Sequence, residues 1–224
     1  MAQAPVHKLK KDEIIWLASH RCNDHKHTYL THYSCYLKDH PEEEERLAFF
    51  DIEASNLDAD YGIMLSWAIK PSDSKTVIGD VLTPADVKKG YEDKRIVQSC
   101  IDALAKFNRV VTYYGTGFDL PFLRARALIV GVDFPTFGSL KHKDLYYTVK
   151  SKFKLSSRRL ENACRQLLGA TDKTRIDAKY WRNGVRGDKD SLKYIYDHNL
   201  HDVVDLEKLY YKVINFSKTN NTSI

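Results

Sequence analysis

Apolar residues in the first half of the chain occur in short runs separated by polar segments. The runs at 47–52, 63–69 and 76–81 have the length of strands, and residues 55–62 between the first two are mostly polar or turn-forming. Strands joined by short turns pair in antiparallel fashion. The pattern therefore predicts a sheet with an antiparallel start.

Later in the chain, apolar residues recur at three- and four-residue steps, which is the spacing of amphipathic helices. A further strand at 109–114 interrupts this pattern. The order of elements predicts an α/β fold, with a mixed sheet that starts antiparallel, continues with parallel strands and is flanked by helices. The predicted helices cover 93–107, 121–130 from Pro121, a segment capped by Ser156 or Ser157 and ended by Gly169, and 191–214.

Composition is typical of a globular protein, since 43% of the 224 residues are hydrophobic and 29% are charged. No apolar stretch approaches the roughly 18 residues of a membrane span. The N-terminus also lacks the apolar core of a secretory signal. We therefore expect a soluble, cytoplasmic protein that does not bind membranes and whose four cysteines form no disulfide framework.

The sequence changes character at residues 40–50, where an acidic run precedes the first apolar strand. We expect a His- and Cys-rich appendage at 1–45, a main domain at 46–216 and a flexible tail at 217–224. The net charge is +5, and residues 138–190 carry 14 Lys or Arg against 6 Asp or Glu. That basic stretch is either a solvated surface or a surface that meets phosphate groups.

Acidic residues mark three places in the main domain. Asp51 and Glu53 project from one face of the first strand, where a divalent cation would compensate their repulsion unless this strand end faces solvent. Asp119 follows a strand end broken by glycines, either as a site residue or as a helix cap. Asp202 lies four residues after His198, so both share a helix face.

Three segments carry these acids in order: FFDIEASNL, YYGTGFDLPFLRARA and YDHNLHDVVDLEKL. Their order and spacing resemble the exonuclease motifs of the DEDD 3′–5′ exonuclease superfamily, and most closely its branch of predicted ribonuclease-H-like nucleases. The resemblance extends over about 46–214 and implies a ribonuclease-H-like fold. It also implies that Asp51, Glu53, Asp119 and Asp202 bind two Mg²⁺ or Mn²⁺ ions.

The function that this resemblance implies is metal-dependent hydrolysis of nucleic acid. We expect a 3′–5′ exonuclease on single-stranded DNA or RNA, in which one metal activates a water and the other stabilises the leaving 3′ oxygen. The alternatives are an endonuclease like ribonuclease H and a non-catalytic module that binds nucleic acid with the same fold.

One position departs from the family pattern. The family places Tyr four residues, or His five residues, before the last acid, whereas here His198 is in the fourth position and Asp197 in the fifth. We expect His198 to act as a general base or to orient a water, because imidazole titrates near neutrality.

Other residues near the motifs are candidates for supporting roles. The aromatic residues near the second motif either stack on a terminal base or belong to the core, and they are Tyr113, Tyr114, Phe118 and Phe122. Asp144 either supports the metal ligands or caps a helix.

The appendage contains four His and two Cys between positions 20 and 35. Cys22-x2-His25 and His32-x2-Cys35 are mirror-image pairs, and two Cys with two His suit a tetrahedral zinc site. His27 or His20 is an alternative to either histidine. We expect Cys22, His25, His32 and Cys35 to bind a structural Zn²⁺, and a polar segment that happens to be rich in His is the alternative.

Overall fold

The computed structural model describes residues 4, 6, 9–40, 45–90, 92–136, 138–169, 177–217 and 222–223. The chain divides into two compact units, Met1–Glu45 and Arg46–Ile224. No helix within the described ranges combines the length and the apolar character that crossing a membrane requires.

The first unit contains two short helices, α1 (Lys11–Ser19) and α2 (Tyr33–Asp39). Between them the chain makes a tight turn, closed by a bridge between Arg21 and Thr28. Units of this size rarely build a sufficient apolar core and usually need a disulfide or a metal. The buried apolar residues described here are Ala4, Leu17, Cys22, Tyr29 and Cys35.

The second unit is built on a mixed sheet. Its described strands are β1 (Leu47–Ala54), β2 (Met64–Pro71), β3 (Ile78–Val81), β4 (Arg109–Thr112), β5 (Lys141–Asp144) and β6 (Thr222–Ser223). They lie in the order β3-β2-β1-β4-β5-β6. β1, β2 and β3 pair antiparallel, β1, β4 and β5 pair parallel, and β6 is antiparallel to β5. The predicted mixed sheet is confirmed.

Helices flank this sheet. Those described in the second unit are α3 (Pro84–Val87), α4 (Lys94–Leu104), α5 (Asp119–Val130), α6 (Leu145–Lys152), α7 (Leu160–Leu168), α8 (Ala178–Gly184) and α9 (Lys189–Val213). Successive side chains of β1 point to opposite faces of the sheet and belong to two different apolar cores, as expected for a strand covered on both faces. Phe50 and Ile52 pack with residues of α4 and α5, whereas Phe49 packs with α7 and α9.

The elements differ from the predicted ones mainly at their ends. β4 ends at Thr112, because the chain turns at Tyr114, whose φ of 71° is left-handed. α5 begins at Asp119, two residues before Pro121. α7 begins only at Leu160, since the Ser157 hydroxyl accepts from the Arg159 N–H in the turn that precedes it.

Some elements were not predicted. β5 has the sequence KHKD, which lacks an apolar pattern although two of its residues are buried, and the short helices α6 and α8 follow no strong periodicity. β6 lies within the predicted tail at 217–224, of which 218–221 and 224 are outside the described residues.

Candidate metal-binding active site

β1 presents Asp51 and Glu53 on the face of the sheet that α9 covers. Side chains alternate along a strand, so Asp51 and Glu53 point to the same face of the sheet as Phe49. The ring of Phe49 contacts the ring of Tyr210 on α9, with 5.3 Å between the centroids. The register with β2 shifts between Glu53 and Ala54. Such a bulge bends a strand, and here it lies at the end that carries the acids.

α9 contributes His198 and Asp202 to the same place. These residues are one helical turn apart and buried, and His198 Nε2 lies 3.7 Å from Asp202 Oδ2. The donor atoms of Glu53, His198 and Asp202 all lie within 4.8 Å of one another. Two oxygen ligands of one octahedral Mg²⁺ are about 3–4 Å apart. Donors this close can therefore share or flank a cation.

Asn199 connects α9 to both central strands. Its Nδ2 donates to Asp51 Oδ2 at 2.6 Å, and its Oδ1 accepts from Ser66 Oγ of β2 at 3.1 Å. The side chain is 0% exposed, so both ends of a buried amide are satisfied. No role was predicted for Asn199, although its position three residues before Asp202 places it on the same inward helix face.

Asp119 comes from the first turn of α5. Its Oδ1 accepts from the backbone N–H of Ile52, between the two acids of β1, at 3.0 Å. Burial raises the pKa of Asp119 to about 7; the Ile52 N–H opposes this increase, and the nearby charges of Asp144 and Asp202 add to it. A cation beside Asp119 would favour its charged form. The charge of Asp202 therefore acts on Asp119, although Asp119 is not among the described residues that line the open cleft beside these acids.

An open cleft of about 880 Å³ extends past the acids. Asp51, Glu53, His198 and Asp202 form part of its lining. The remaining lining includes aromatic and basic side chains, which suit bases and phosphates. These are Tyr113, Tyr114, Tyr146, Trp181, Arg158 and Arg159.

Phe118 and Phe122, for which base stacking and a place in the core were both open, are core residues. Phe122 is 3% exposed, and the partly buried Phe118 packs against the same apolar cluster. Their rings contact each other at 5.5 Å. The reason is the start of α5, which turns both side chains towards the core, whereas the preceding residues Tyr113 and Tyr114 line the cleft.

Asp144 fixes the loop that carries Tyr114. Its carboxylate accepts from the N–H groups of Tyr114 at 2.8 Å and Thr116 at 2.9 Å, and it also caps α6 through the Tyr146 N–H at 3.0 Å. The helix cap predicted as one alternative for Asp144 is thus present, and its other contacts hold the loop at Tyr114 and Thr116. Gly117 completes the loop, because a Cβ there would lie 2.5 Å from the Tyr114 ring.

A buried histidine lies behind this loop. His142 Nε2 and Thr112 Oγ1 form a 2.8 Å hydrogen bond, and Thr112 Oγ1 also accepts from the Gly115 N–H at 3.1 Å. Burial lowers the pKa of His142 to about 4, although the charge of Asp144 acts in the opposite direction. His142 is therefore neutral at physiological pH.

The first unit contains a second group of donor atoms. Donor atoms of Cys22, His25, His27 and His32 lie within 4.8 Å of one another. Cys35 Sγ lies 3.5 Å from His25 Nδ1 and 3.1 Å from His32 Nδ1. The four residues predicted for zinc are thus close together, with His27 beside them.

Comparison with known proteins agrees with the fold. A family model described as the RNase_H superfamily matches residues 48–214. The chain belongs to the RNase H superfamily. The predicted membership is confirmed at this level, and residues 48–214 form an RNase H superfamily domain of nuclease type.

Two similar proteins are DNA polymerases. A DNA polymerase of Methanocaldococcus jannaschii is 24% identical over 173 residues, which are 65% of this chain and 10% of the polymerase. The structure of the family B DNA polymerase from Pyrobaculum calidifontis superposes with a TM-score of 0.59 at 20% identity, covering 75% of this chain and 25% of that one. The chain therefore corresponds to only a small part of these relatives, and the structural likeness concerns the fold.

Proposed function

We propose that this RNase H superfamily domain is a metal-dependent 3′–5′ exonuclease that hydrolyses single-stranded DNA or RNA. The observation that carries the proposal is the convergence of the Glu53, His198 and Asp202 donor atoms within 4.8 Å, in a cleft that Asp51 also lines. Asp202 is buried and the other two acids are partly buried, and such mutually repelling acids are unfavourable unless a cation compensates them.

The donor set fits two Mg²⁺ or Mn²⁺ ions. Carboxylate oxygens are the ligands that these hard cations prefer, and Asp51, Glu53, Asp119 and Asp202 would hold them. When bound, the ions supply an activated water and charge stabilisation for the leaving oxygen. The raised pKa of Asp119 supports this assignment, since burial disfavours its charged form and a nearby cation would favour it.

Side chains of α9 orient the reacting groups. His198 lines the cleft with its Nε2 3.7 Å from Asp202, so the imidazole is placed to accept a proton from a water in the cleft or to orient that water. Asn199 holds Asp51 through a 2.6 Å hydrogen bond, which fixes one proposed ligand relative to the helix that carries another, Asp202.

The lining of the cleft favours a single-stranded substrate. The rings of Tyr114 and Tyr146 lie 4.9 Å apart in an edge contact, and Tyr114 is 47% exposed, so an unstacked base has a ring to stack on. Arg158 and Arg159 add positive charge for the phosphates. The polymerases similar to this chain also act on nucleic acid, which supports that substrate class.

The test is a cleavage assay on 5′-labelled single-stranded DNA, single-stranded RNA and an RNA–DNA hybrid, with Mg²⁺, Mn²⁺ or EDTA. We expect products that shorten one nucleotide at a time from the 3′ end of a single strand in either metal, and none with EDTA. Internal cuts confined to the hybrid would indicate an endonuclease like ribonuclease H. Binding of the oligonucleotides without cleavage in either metal would indicate a non-catalytic module. Either of these results contradicts the proposal.

A further inference from the structure

The first unit brings two cysteines and several histidines to one point. Cys22 and Cys35 are buried, with exposed fractions of 1% and 7%, and His32 is also buried. Both cysteines belong to the same small cluster of buried residues. This group belongs to residues 1–45 and is separate from the carboxylates proposed for hydrolysis.

The distances within the group match the edges of a zinc tetrahedron. With Zn–S near 2.3 Å and Zn–N near 2.0 Å, a sulfur and a nitrogen on the same zinc lie about 3.5 Å apart. Cys35 Sγ lies 3.5 Å from His25 Nδ1 and 3.1 Å from His32 Nδ1. Donor atoms of Cys22, His25 and His32 lie within 4.8 Å of one another. The four side chains therefore approach tetrahedral spacing.

The turn after Cys22 is closed by its own backbone. The Cys22 N–H donates to the His27 carbonyl oxygen at 2.9 Å, and the Lys26 N–H donates to the Cys22 carbonyl oxygen at 3.1 Å. Lys26 adopts a left-handed φ of 58°, so the chain reverses directly after Cys22. The turn therefore brings the donor atoms of His25 and His27 within 4.8 Å of that of Cys22.

The histidines divide into those that face the thiols and one that does not. His20 stacks on Trp16 at 4.0 Å, and its Nδ1 lies 2.8 Å from the Trp16 carbonyl oxygen, so it is engaged elsewhere. Donor atoms of His25 and His27 both lie within 4.8 Å of those of Cys22 and His32. His25 Nδ1 also lies 3.5 Å from Cys35 Sγ, which favours His25 as the ligand that completes the set with Cys35.

We propose that Cys22, His25, His32 and Cys35 bind one structural Zn²⁺ that stabilises the fold of residues 1–45, with His27 as a neighbour outside the ligand set. The proposal goes beyond the nuclease function and does not depend on it. Soft thiolates with imidazoles select zinc over the Mg²⁺ or Mn²⁺ that carboxylates prefer. Both cysteines lie in the small apolar core of this unit, so the metal would also hold α2 against the turn.

The first experiment measures bound zinc in the full chain, expressed in zinc-supplemented medium and purified without chelator. We expect about one equivalent, which is lost in Cys35→Ser and His25→Ala. The matched controls are His20→Ala and His27→Ala, and both should retain it. Zinc absent from the wild type, or retained in Cys35→Ser, would overturn the proposal. Zinc lost in His27→Ala but retained in His25→Ala would overturn the ligand set.

A second measurement covers the case in which ligand variants fail to fold. The wild-type chain, stripped of zinc, is titrated with Co²⁺ and its absorption spectrum is recorded. We expect sulfur-to-cobalt charge-transfer bands and the intense visible bands of tetrahedral cobalt, abolished by one added equivalent of Zn²⁺. A weak octahedral spectrum without charge transfer would overturn the proposal. Asp202→Asn should give the wild-type zinc content, so a failure of the nuclease proposal remains distinguishable from a failure of this one.

Discussion

The side-chain amide of Asn199 on α9 donates a 2.6 Å hydrogen bond to Asp51 on β1. These residues are 148 positions apart, and the contact connects the strand that carries two of the proposed ligands with the helix that carries Asp202. Because the other end of the amide accepts from Ser66, Asn199 has a single favourable orientation. The relative placement of the ligands therefore depends on a residue that does not itself supply a carboxylate.

Asn199→Ala tests this positioning role. Removing the amide leaves a buried hydroxyl at Ser66 and releases Asp51, so we expect a loss of about 1–3 kcal/mol in unfolding free energy. A structural role alone would change only stability. We also expect a higher Mg²⁺ concentration for half-maximal cleavage, because one ligand must be ordered when the metal binds. Asn162→Ala, whose amide donates to the Ser157 carbonyl, is the control and should leave the Mg²⁺ dependence unchanged.

His198→Ala tests the proposed general base. We expect turnover to fall by roughly 10²–10⁴-fold, the usual contribution of a positioned acid or base, with nearly unchanged Mg²⁺ dependence. His198→Tyr, which restores a residue common at this position in the family that the motifs resemble, should retain more activity than alanine. The exposed His201 on the same helix provides the control. Normal turnover in His198→Ala together with a large loss in His201→Ala would show that the helix presents a different face to the substrate.

His142 predicts a pH dependence of stability. Its pKa is lowered from 6.5 to about 4 in the folded protein, so the unfolded chain binds the proton more readily between these values. The stability that neutral His142 contributes is complete above about pH 6.5 and is lost as the pH falls towards 4, by about 3 kcal/mol.

The measurement is chemical unfolding of the wild type and His142→Gln at several pH values. Asp119, whose raised pKa gives a contribution of the opposite sign, is present in both proteins and cancels in their difference. We expect the wild type to lose its advantage over the variant as the pH falls. His201→Gln at an exposed position should show no such change. A difference between wild type and His142→Gln that is constant with pH would contradict this account of His142.

Tyr114→Ala tests the wall of the cleft. Stacking of a base on an aromatic ring contributes about 1–3 kcal/mol, so we expect the Kd for a single-stranded oligonucleotide to rise about 5- to 150-fold. Fluorescence anisotropy in EDTA measures binding without cleavage. Tyr147, which is 45% exposed and belongs to α6, is a matched tyrosine outside the described lining of the cleft. Equal affinities for Tyr114→Ala and Tyr147→Ala would remove Tyr114 from the substrate path.

Local periodicity was sufficient to predict the residues that share a face. Two-residue spacing on β1 placed Asp51 and Glu53 together, and four-residue spacing on α9 placed His198 beside Asp202. The mixed sheet followed from the order of apolar runs. These features depend on short stretches of chain, for which the geometry of a strand or helix fixes side-chain direction.

Features that depend on contacts between residues far apart in the sequence could not be predicted from local periodicity. The bond between Asn199 and Asp51 exists only because α9 packs across β1. β5 has a polar sequence and is a strand because its neighbour β4 supplies the backbone hydrogen bonds. The buried ring of His142 on β5 also depends on β4, because Thr112 is its hydrogen-bond partner. The sequence left open whether Phe122 stacks on a base or belongs to the core. It belongs to the core because of the left-handed turn at Tyr114 and the start of α5 that follows.

The central claim is that the converging acids hold the metals that hydrolyse the substrate, and Asp202→Asn tests it most directly. The measurement is the single-turnover cleavage rate of a 5′-labelled single strand in Mg²⁺, for the wild type, Asp202→Asn and the matched control Asp197→Asn. Asp197 is on the same helix, but its side chain is 49% exposed and pairs with Lys193. We expect Asp202→Asn to lose at least 10²-fold in rate while melting no lower than the wild type in EDTA, because one repelling charge is removed, and Asp197→Asn to cleave normally. Cleavage by Asp202→Asn at the wild-type rate, with the protein folded, would contradict the account.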